Sequence, residues 1–425
     1  MSDPALLRLL GDHASAHSVP GAAIGVLREG EVASASWGIA DVRTREPVTP
    51  ETRFAVGSLA KSMVATALAR LAADGALSLD DPATGHVPEL RGSGWAESVT
   101  IRDLLANRSR LPLRAALEFS DFEGADDDVL ARFAAEVAIG EPMGEFWSYT
   151  NAGWCVLGRA LEKSTGLTWE EAMRATLLAP LGMNETTFVM LSPAEPRATG
   201  HEVTGTGTVP AEPWTPRALG PAGSTLLSTT TDILRFARRH LEDPALAVLR
   251  ETHEEIRIHG WLDAWCLGQA RFDWEGGPVW GWDGLISGER AVLRLLPEQR
   301  SAIVVLTNGS TGRAMCRSLL RELTSECFGM SEPALQLEPS PGAAGDLSRF
   351  AGVYAWPDRS WTVRATEATL VIEGDGCTVE ALPIDDRTFL VDPDDPDNPT
   401  VTFGAFDDSG RPAVLYVMLW GLPRV

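Results

Sequence analysis

The chain has 425 residues, 44% of them hydrophobic, so it can bury a large core, either as one big domain with a smaller one or as two domains. Acidic side chains outnumber basic ones by 59 to 36, and the formal charge is −23. Because nucleic acids and anionic membranes recruit clustered positive charge, neither is an expected partner. No stretch approaches the roughly 18 apolar residues of a membrane span, and the N-terminus lacks the pattern of a secretory signal, so we expect a cytoplasmic protein.

The predicted elements start with a hairpin over residues 22–41, where two runs of alternating polarity flank an Arg-Glu-Gly turn. A largely apolar helix follows over 58–74. Further helices are predicted where apolar residues recur at helical spacing behind Ser, Thr, Asp or Asn, over 99–109, 127–138, 151–166, 168–182 and 229–241. A second hairpin over 289–309 and a helix over 312–329 complete this region.

The C-terminal part of the chain has a different character. A segment rich in Pro, Gly and Ala at 331–345 is typical of a linker, and it separates a large domain over 1–330 from a tail over 346–425. Seven short strand-like runs, divided by Gly, Pro and Asp, predict that this tail is a small antiparallel barrel or half-barrel.

The sequence contains no strong cofactor or metal motif. Its five cysteines are odd in number, scattered and free of C-x-x-C spacing, which favours reduced thiols over disulfides or a zinc site. Neither nucleotide-binding glycine pattern is present, and the G-x-S-x-G elbow of α/β-hydrolases is also absent. His13 and His17 are at a spacing that suits two metal ligands on one helix face, but no carboxylate stands at a fixed offset from them. We therefore expect no cofactor and no metal.

The helix predicted over 58–74 contains an unusual basic residue. Lys61 and Lys163 are the only two lysines of the chain, and Lys61 lies in otherwise apolar surroundings. Unlike arginine, a lysine that is desolvated in an apolar site can be neutral near pH 7 and accept a proton. Residues three apart share a helix face, so the Lys61 ammonium is predicted to reach the Ser58 hydroxyl.

Ser58 stands at the start of this helix, where unpaired backbone N–H groups and the positive end of the helix dipole would stabilise developing negative charge. The pair therefore predicts a serine nucleophile with a lysine base. The alternative is an N-cap serine beside a lysine that extends to solvent.

Tyr149 is one of only three tyrosines, and it opens the sequence Tyr-Thr-Asn at the start of a predicted helix. A phenol beside a cation can ionise and relay a proton, and an amide such as Asn151 can donate to a substrate carbonyl while it holds a lysine in place. Taken alone, Tyr149 would more simply be a core aromatic residue with a satisfied hydroxyl. The presence of Ser58 and Lys61 favours the catalytic interpretation.

Ser58-Leu59-Ala60-Lys61 and Tyr149-Thr150-Asn151 resemble the S-x-x-K and Y-x-N motifs of the penicillin-recognising serine hydrolases. The surrounding segments, such as "TPETRFAVGSLAKS" and "WSYTNAGWCVLGRALEKSTG", resemble the branch of class C β-lactamases, D-aminopeptidases, esterases and acyltransferases. The tail resembles a lipocalin-like C-terminal domain that some members carry, notably a subset tied to peptide natural-product biosynthesis. The resemblance implies an α+β fold, with an antiparallel sheet flanked by helices, an all-helical subdomain and an added small antiparallel β-barrel at the C-terminus.

A third motif of this family, K-T-G or H-x-G, corresponds here to Trp282-Asp283-Gly284, which the resemblance assigns to substrate binding. It also implies that the backbone N–H groups of Ser58 and Leu285 form the oxyanion hole. A tryptophan where members carry a cation resembles the W-x-G form of esterases, and it favours a neutral acyl or alkyl group over a carboxylate. In the segment where members often have H-T-S-G, this chain has Asn-Arg-Ser-Arg, so Arg108 or Arg110 is an alternative source of positive charge.

These features predict a serine acylhydrolase or acyltransferase that acts on a small ester, amide or peptide. Ser58 would attack the carbonyl, the Lys61–Tyr149 pair would take its proton, and the acyl-enzyme would be released to water or to a bound amine or alcohol. Two alternatives stay open: a D-amino-acid-specific peptidase or β-lactamase, and an inactive sensor or binding protein on the same fold. The residues do not identify the acyl donor or the oligomeric state.

Overall fold

The computed structural model describes residues 3–111, 114, 117–118, 126–140, 142, 144–189, 196–335, 337–374, 376–395 and 398–425. Within them the α-helices are α1 (Asp3–Ala16), α2 (Leu59–Ala73), α3 (Ala83–His86), α4 (Ile101–Leu105), α5 (Val129–Val137), α6 (Asn151–Thr165), α7 (Trp169–Met173), α8 (Thr230–Glu242) and α9 (Gly312–Phe328). The strands before the tail are β1 (Gly21–Arg28), β2 (Glu31–Gly38), β3 (Phe54–Ala55), β4 (Thr187–Phe188), β5 (His201–Thr204), β6 (Gly207–Pro210), β7 (Leu226–Ser228), β8 (Ala264–Trp265), β9 (Ala270–Trp274), β10 (Gly277–Ile286), β11 (Glu289–Leu296) and β12 (Ser301–Thr307).

The centre of the large domain is a seven-stranded antiparallel sheet in the order β2-β1-β12-β11-β10-β9-β8. Both predicted hairpins are confirmed, since β1 pairs with β2 and β11 pairs with β12. Every residue of β11 and β12 is buried, because helices cover both faces of the sheet at this point. Helices α1 and α9 pack together and against the sheet, while α2 packs on β10 and β11, and α8 packs on β12, β1 and β11.

Helices α3 to α7 form a separate helical region, in which α6 contacts α3, α4, α5 and α7. The α+β fold with an all-helical part is therefore confirmed. Two predicted helices are shorter than expected. The helix predicted over 99–109 ends at Leu105, because Asn107 has a left-handed backbone with φ of 56°. The helix predicted over 168–182 changes after Met173 into a π-helical turn over Arg174–Leu178.

Helix α1 was not predicted from the sequence, although it buries Leu6 and Leu10. Three or four apolar residues on one face are a weak signal in a segment of this length. Within the described residues, no helix has the length and apolar character needed to cross a bilayer.

The tail forms an antiparallel barrel of eight strands in chain order. They are β13 (Gly352–Trp356), β14 (Arg359–Ala365), β15 (Leu370–Gly374), β16 (Cys377–Pro383), β17 (Thr388–Leu390), β18 (Thr400–Phe406), β19 (Pro412–Val417) and β20 (Trp420–Pro423). A bridge between Tyr354 and Arg424 brings the first and last strands together, so the barrel is nearly closed. The sequence predicted one strand fewer, because the last apolar run divides at Met418, whose φ of 55° makes a tight turn.

Candidate active site

Helix α2 crosses the core, and its buried residues include every position from Leu59 to Ala69. Ser58 directly precedes it and is half-buried, and its side chain caps no backbone N–H group of the helix. The hydroxyl is therefore available for other hydrogen bonds.

The Lys61 side chain is completely buried one turn into α2. Its Nζ lies 3.0 Å from Ser58 Oγ, 2.8 Å from Asn151 Oδ1 and 2.7 Å from the backbone oxygen of Ala222. Burial lowers the pKa of Lys61 to about 7, although Cys155 and Glu118 act to raise it. The predicted contact between Lys61 and Ser58 is thus present, and the lysine does not extend to solvent.

The three oxygens around Lys61 differ in what they can do. The Asn151 and Ala222 oxygens belong to carbonyl groups and can only accept hydrogen bonds, whereas the Ser58 hydroxyl can also donate. A neutral lysine has only two N–H groups. When the two carbonyl oxygens accept both of them, the lone pair of the amine is left for the hydroxyl proton of Ser58. This geometry is what the transfer of a proton from Ser58 to Lys61 requires.

Tyr149 is buried on the other side of the serine hydroxyl. Its hydroxyl shares a hydrogen bond with the Ser58 side chain and accepts another from the Trp282 indole, at 3.2 Å. The Lys61 Nζ lies 4.8 Å from the centre of the phenol ring. Burial raises the pKa of Tyr149 well above its ordinary value, and the hydrogen bonds with Ser58 and Trp282 offset only part of this change.

Asn151 is the first residue of α6, and Thr150 caps this helix by accepting a hydrogen bond from Gly153 N at 3.1 Å. While its Oδ1 accepts from Lys61, Asn151 Nδ2 donates to the backbone oxygen of Glu118 at 2.9 Å. Glu118 could not be identified from the sequence, because no motif marks it and only tertiary packing brings it to the start of α6.

Two backbone segments approach each other closely beside Ser58. A Cβ atom on Gly284 would lie 1.8 Å from the Val56 oxygen and 3.0 Å from Ser58 N, and one on Gly57 would lie 2.6 Å from Leu285 N. Both positions therefore require glycine. The close approach brings the backbone nitrogens of Ser58 and Leu285 to the same contact, and their role as an oxyanion hole stays a prediction.

The remaining predicted site residues lie away from Ser58 or have a role different from the predicted one. Trp282 is only 3% exposed, so its ring packs behind Tyr149 instead of presenting an open face. The Asp283 carboxylate accepts a hydrogen bond from Arg294, on the opposite face of the sheet from Trp282. Arg108 lies 3.4 Å from Glu254, and Arg110 lies 2.6 Å from Glu145. The structure thus does not bring Asp283 to Ser58, and it pairs both arginines with carboxylates of the protein.

The cysteines and the two N-terminal histidines were considered above as possible metal ligands. All five cysteines are free thiols. His13 and His17 lie 2.9 and 3.0 Å from the same Ser318 hydroxyl. Among the residues that the structure describes, no group of three His, Cys, Asp or Glu side chains could hold a metal ion.

The C-terminal barrel contacts the segment that contains Tyr149. The backbone oxygen of Leu419, in the β19–β20 turn, accepts a hydrogen bond from Tyr149 N at 3.0 Å, and Gly421 N donates to Ser148 Oγ at 3.0 Å. The half-buried Trp420 ring packs edge-on against the Tyr149 ring, with centroids 6.0 Å apart. The barrel therefore supplies one wall of the surroundings of Tyr149.

We expect Trp420→Ala to lower kcat/KM for the best ester roughly tenfold, because the Tyr149 ring loses an aromatic packing partner. Trp361→Ala is the matched control, since Trp361 is a half-buried tryptophan of the same barrel that packs over Gly374. Steady-state kinetics and thermal unfolding of both variants test this expectation. Equal losses of activity in the two variants would show that the barrel acts only through stability.

Comparison with known proteins agrees with this geometry. The family model described as Beta-lactamase matches residues 6–324. Penicillin-binding protein 4 of Amycolatopsis lactamdurans is 32% identical over 361 residues, which cover 80% of this chain and 93% of that protein. This protein belongs to the β-lactamase family. The family is one of serine hydrolases, and the predicted resemblance is confirmed.

Solved structures resemble this β-lactamase-family chain over its whole length or over part of it. The crystal structure of SurE is 26% identical with a TM-score of 0.83, over 100% of this chain and 99% of that chain, and SurE with D-Leu gives a TM-score of 0.80. The D-amino acid amidase from Ochrobactrum anthropi SV3, complexed with D-phenylalanine, is 22% identical with a TM-score of 0.65, over 76% of this chain and 99% of that chain. The likeness to the amidase is one of fold.

Proposed function

We propose that this protein is a serine acylhydrolase or acyltransferase that forms an acyl-enzyme on Ser58. The observation that carries the proposal is the placement of the buried Lys61 Nζ 3.0 Å from Ser58 Oγ, beside two carbonyl oxygens that can accept both N–H groups of the neutral amine. A pKa of about 7 makes a substantial fraction of Lys61 neutral at physiological pH. A protein that only binds ligands has no need of this arrangement, which argues against the inactive sensor.

In the first step, Ser58 Oγ forms a bond to the substrate carbonyl carbon while its proton moves to Lys61 Nζ. The carbonyl oxygen becomes an oxyanion that accepts hydrogen bonds from the N–H groups of Ser58 and Leu285. Because its pKa is raised, Tyr149 keeps its hydroxyl proton at neutral pH and is suited to pass a proton to the leaving group as that bond breaks. The proton that Lys61 took from Ser58 then moves to the Tyr149 oxygen and restores the phenol.

In the second step, water or a bound amine or alcohol attacks the acyl-enzyme. The acceptor loses its proton to the Lys61–Tyr149 pair, and Ser58 Oγ leaves with a proton returned by the same pair. The resemblance of the barrel to the C-terminal domain of members tied to peptide natural products favours a bound acceptor over water.

The acyl donor is proposed to be an ester, as an oxygen ester or a thioester, or an amide, with a D-configured residue at the reacting carbonyl. The whole-length likeness to SurE, which has been crystallised with D-Leu, supports this configuration. Trp282 replaces the cation that would meet a free carboxylate. The lost charge-assisted hydrogen bond corresponds to about 1.5–3 kcal/mol, or roughly ten- to a hundredfold in binding, so penicillins and cephalosporins should be poor substrates.

A panel of N-acyl D-leucyl and L-leucyl thioesters, followed by intact-mass spectrometry and turnover, tests the proposal. We expect an increase in the mass of the protein from the bound acyl group. We also expect turnover of the D-leucyl substrate to be faster than that of the L-leucyl substrate by about tenfold or more. A preference for the L-leucyl substrate would contradict the stereochemical part. A chromogenic cephalosporin hydrolysed as fast as the best thioester would instead favour the β-lactamase alternative.

A further inference from the structure

A buried carboxylate that no sequence motif marks is bound to the start of α6. Glu118 Oε1 accepts hydrogen bonds from Thr150 Oγ1 at 2.7 Å and from Ala152 N at 3.2 Å, and Oε2 accepts one from Asn151 N at 2.6 Å. The Glu118 side chain is fully buried. Its carboxylate thus holds the three residues that directly follow Tyr149.

The backbone of Glu118 has a second effect on the same turn. Because the Glu118 carbonyl oxygen can only accept, it selects the NH₂ end of the Asn151 amide, and Asn151 Oδ1 is left to face Lys61. If the amide were turned over, its NH₂ group would compete for the Lys61 lone pair. The direction of that lone pair towards Ser58 therefore depends on Glu118.

The Glu118 carboxylate is also linked to the lysine through a single residue, since Asn151 bonds to both, and its charge acts on Lys61. The titratable groups that act on Lys61 are Glu118 and Cys155, and Tyr149 presents its ring to the ammonium. Burial raises the pKa values of the Cys155 thiol and the Tyr149 phenol, so both are neutral near pH 7. Burial also raises the pKa of Glu118, but hydrogen bonds from Asn151, Thr150 and Ala152 oppose that change, and three donors with a helix N-terminus suit an ionised carboxylate.

We infer that Glu118 is the positioning residue of this site, which orients the Tyr149–Asn151 turn and whose negative charge stabilises the ammonium form of Lys61. The inference rests on the proposed function, because a positioning residue presupposes a reaction. A structural role alone would leave the titration of Lys61 unchanged, so that titration separates the two possibilities.

The presence of only two lysines makes the measurement direct. In protein labelled with [ε-¹³C]lysine, two resonances are expected, and Lys163→Arg assigns them by removing the exposed one. We expect Glu118→Gln to move the Lys61 titration midpoint to lower pH, since loss of a negative charge destabilises the ammonium form. Asp232→Asn, which removes another completely buried carboxylate, should leave the midpoint unchanged. An unchanged midpoint in Glu118→Gln would overturn the role of the charge.

Glu118→Asp provides a second test that does not depend on the folding of the glutamine variant. It keeps the charge but withdraws the carboxylate from the α6 donors, so we expect kcat to fall roughly tenfold or more while the Lys61 midpoint stays in place. An unchanged kcat would overturn the positioning role. Since the titration needs no substrate, a shifted midpoint without turnover of any ester would refute the proposed reaction and leave the coupling between Glu118 and Lys61 intact.

Discussion

Ser58→Ala is expected to abolish covalent labelling and to lower turnover by a factor of roughly 10⁴ or more, because no other group can form the acyl-enzyme. The fold should be retained, since the Ser58 side chain caps no N–H group of α2. Intact-mass spectrometry with the D-leucyl thioester and steady-state kinetics measure both effects. A variant that still formed the adduct would refute the assignment of the nucleophile.

A second serine on the same helix provides the control. Ser62 is buried, and its hydroxyl donates to the Gly268 oxygen at 2.7 Å. Ser62→Ala leaves that oxygen without its partner and should cost about 1–3 kcal/mol of stability. It should nevertheless keep the labelling that Ser58→Ala loses. The comparison separates loss of the nucleophile from loss of a buried hydroxyl on α2.

Lys61→Arg is expected to be nearly as inactive as Ser58→Ala, because arginine keeps the positive charge but does not release its proton at neutral pH. Lys163→Arg is the matched substitution at an exposed position and should have full activity. Turnover of the same thioester by both variants tests this expectation. Wild-type turnover in Lys61→Arg would show that the lysine is not the base.

The same assignment determines how activity depends on pH. Burial lowers the pKa of Lys61 to about 7, and only the neutral amine accepts the serine proton. The kcat/KM of the wild-type protein should therefore rise with pH through about 7 and decline below it, as the lysine becomes protonated. A flat profile between pH 5 and 9 would exclude Lys61 as the titrating base.

Much of the site could be predicted because its signals are local. Ser58 and Lys61 share a helix face through a spacing of three, and the start of α6 is marked by Thr150. Alternating polarity around a turn likewise predicted the β1–β2 hairpin, and the β11–β12 hairpin was also predicted from its local sequence. A helical or strand period has the same meaning wherever the segment lies in the fold, so these features needed no tertiary information.

Trp282 shows where sequence patterns are insufficient. Its position in the third motif suggested an open aromatic face for a neutral acyl group, but the ring is buried and its N–H group donates to Tyr149. The alternation of side chains along β10 placed Asp283 on the other face, beside Arg294. A motif identifies the strand, whereas the neighbouring elements decide which face of that strand the substrate meets.

The sequence by itself determined the serine–lysine pair and the tyrosine–asparagine turn, because each depends on residues at most three positions apart. The α+β class followed from the family resemblance that these motifs carry. Tertiary structure alone decided what surrounds Lys61 and Tyr149. Ala222 is 161 residues from Lys61, Glu118 is 33 residues from Asn151, and Leu419 reaches Tyr149 from the barrel. The physical reason is that a buried polar group takes whichever partner packing brings within hydrogen-bond distance, and no sequence period encodes contacts of that range.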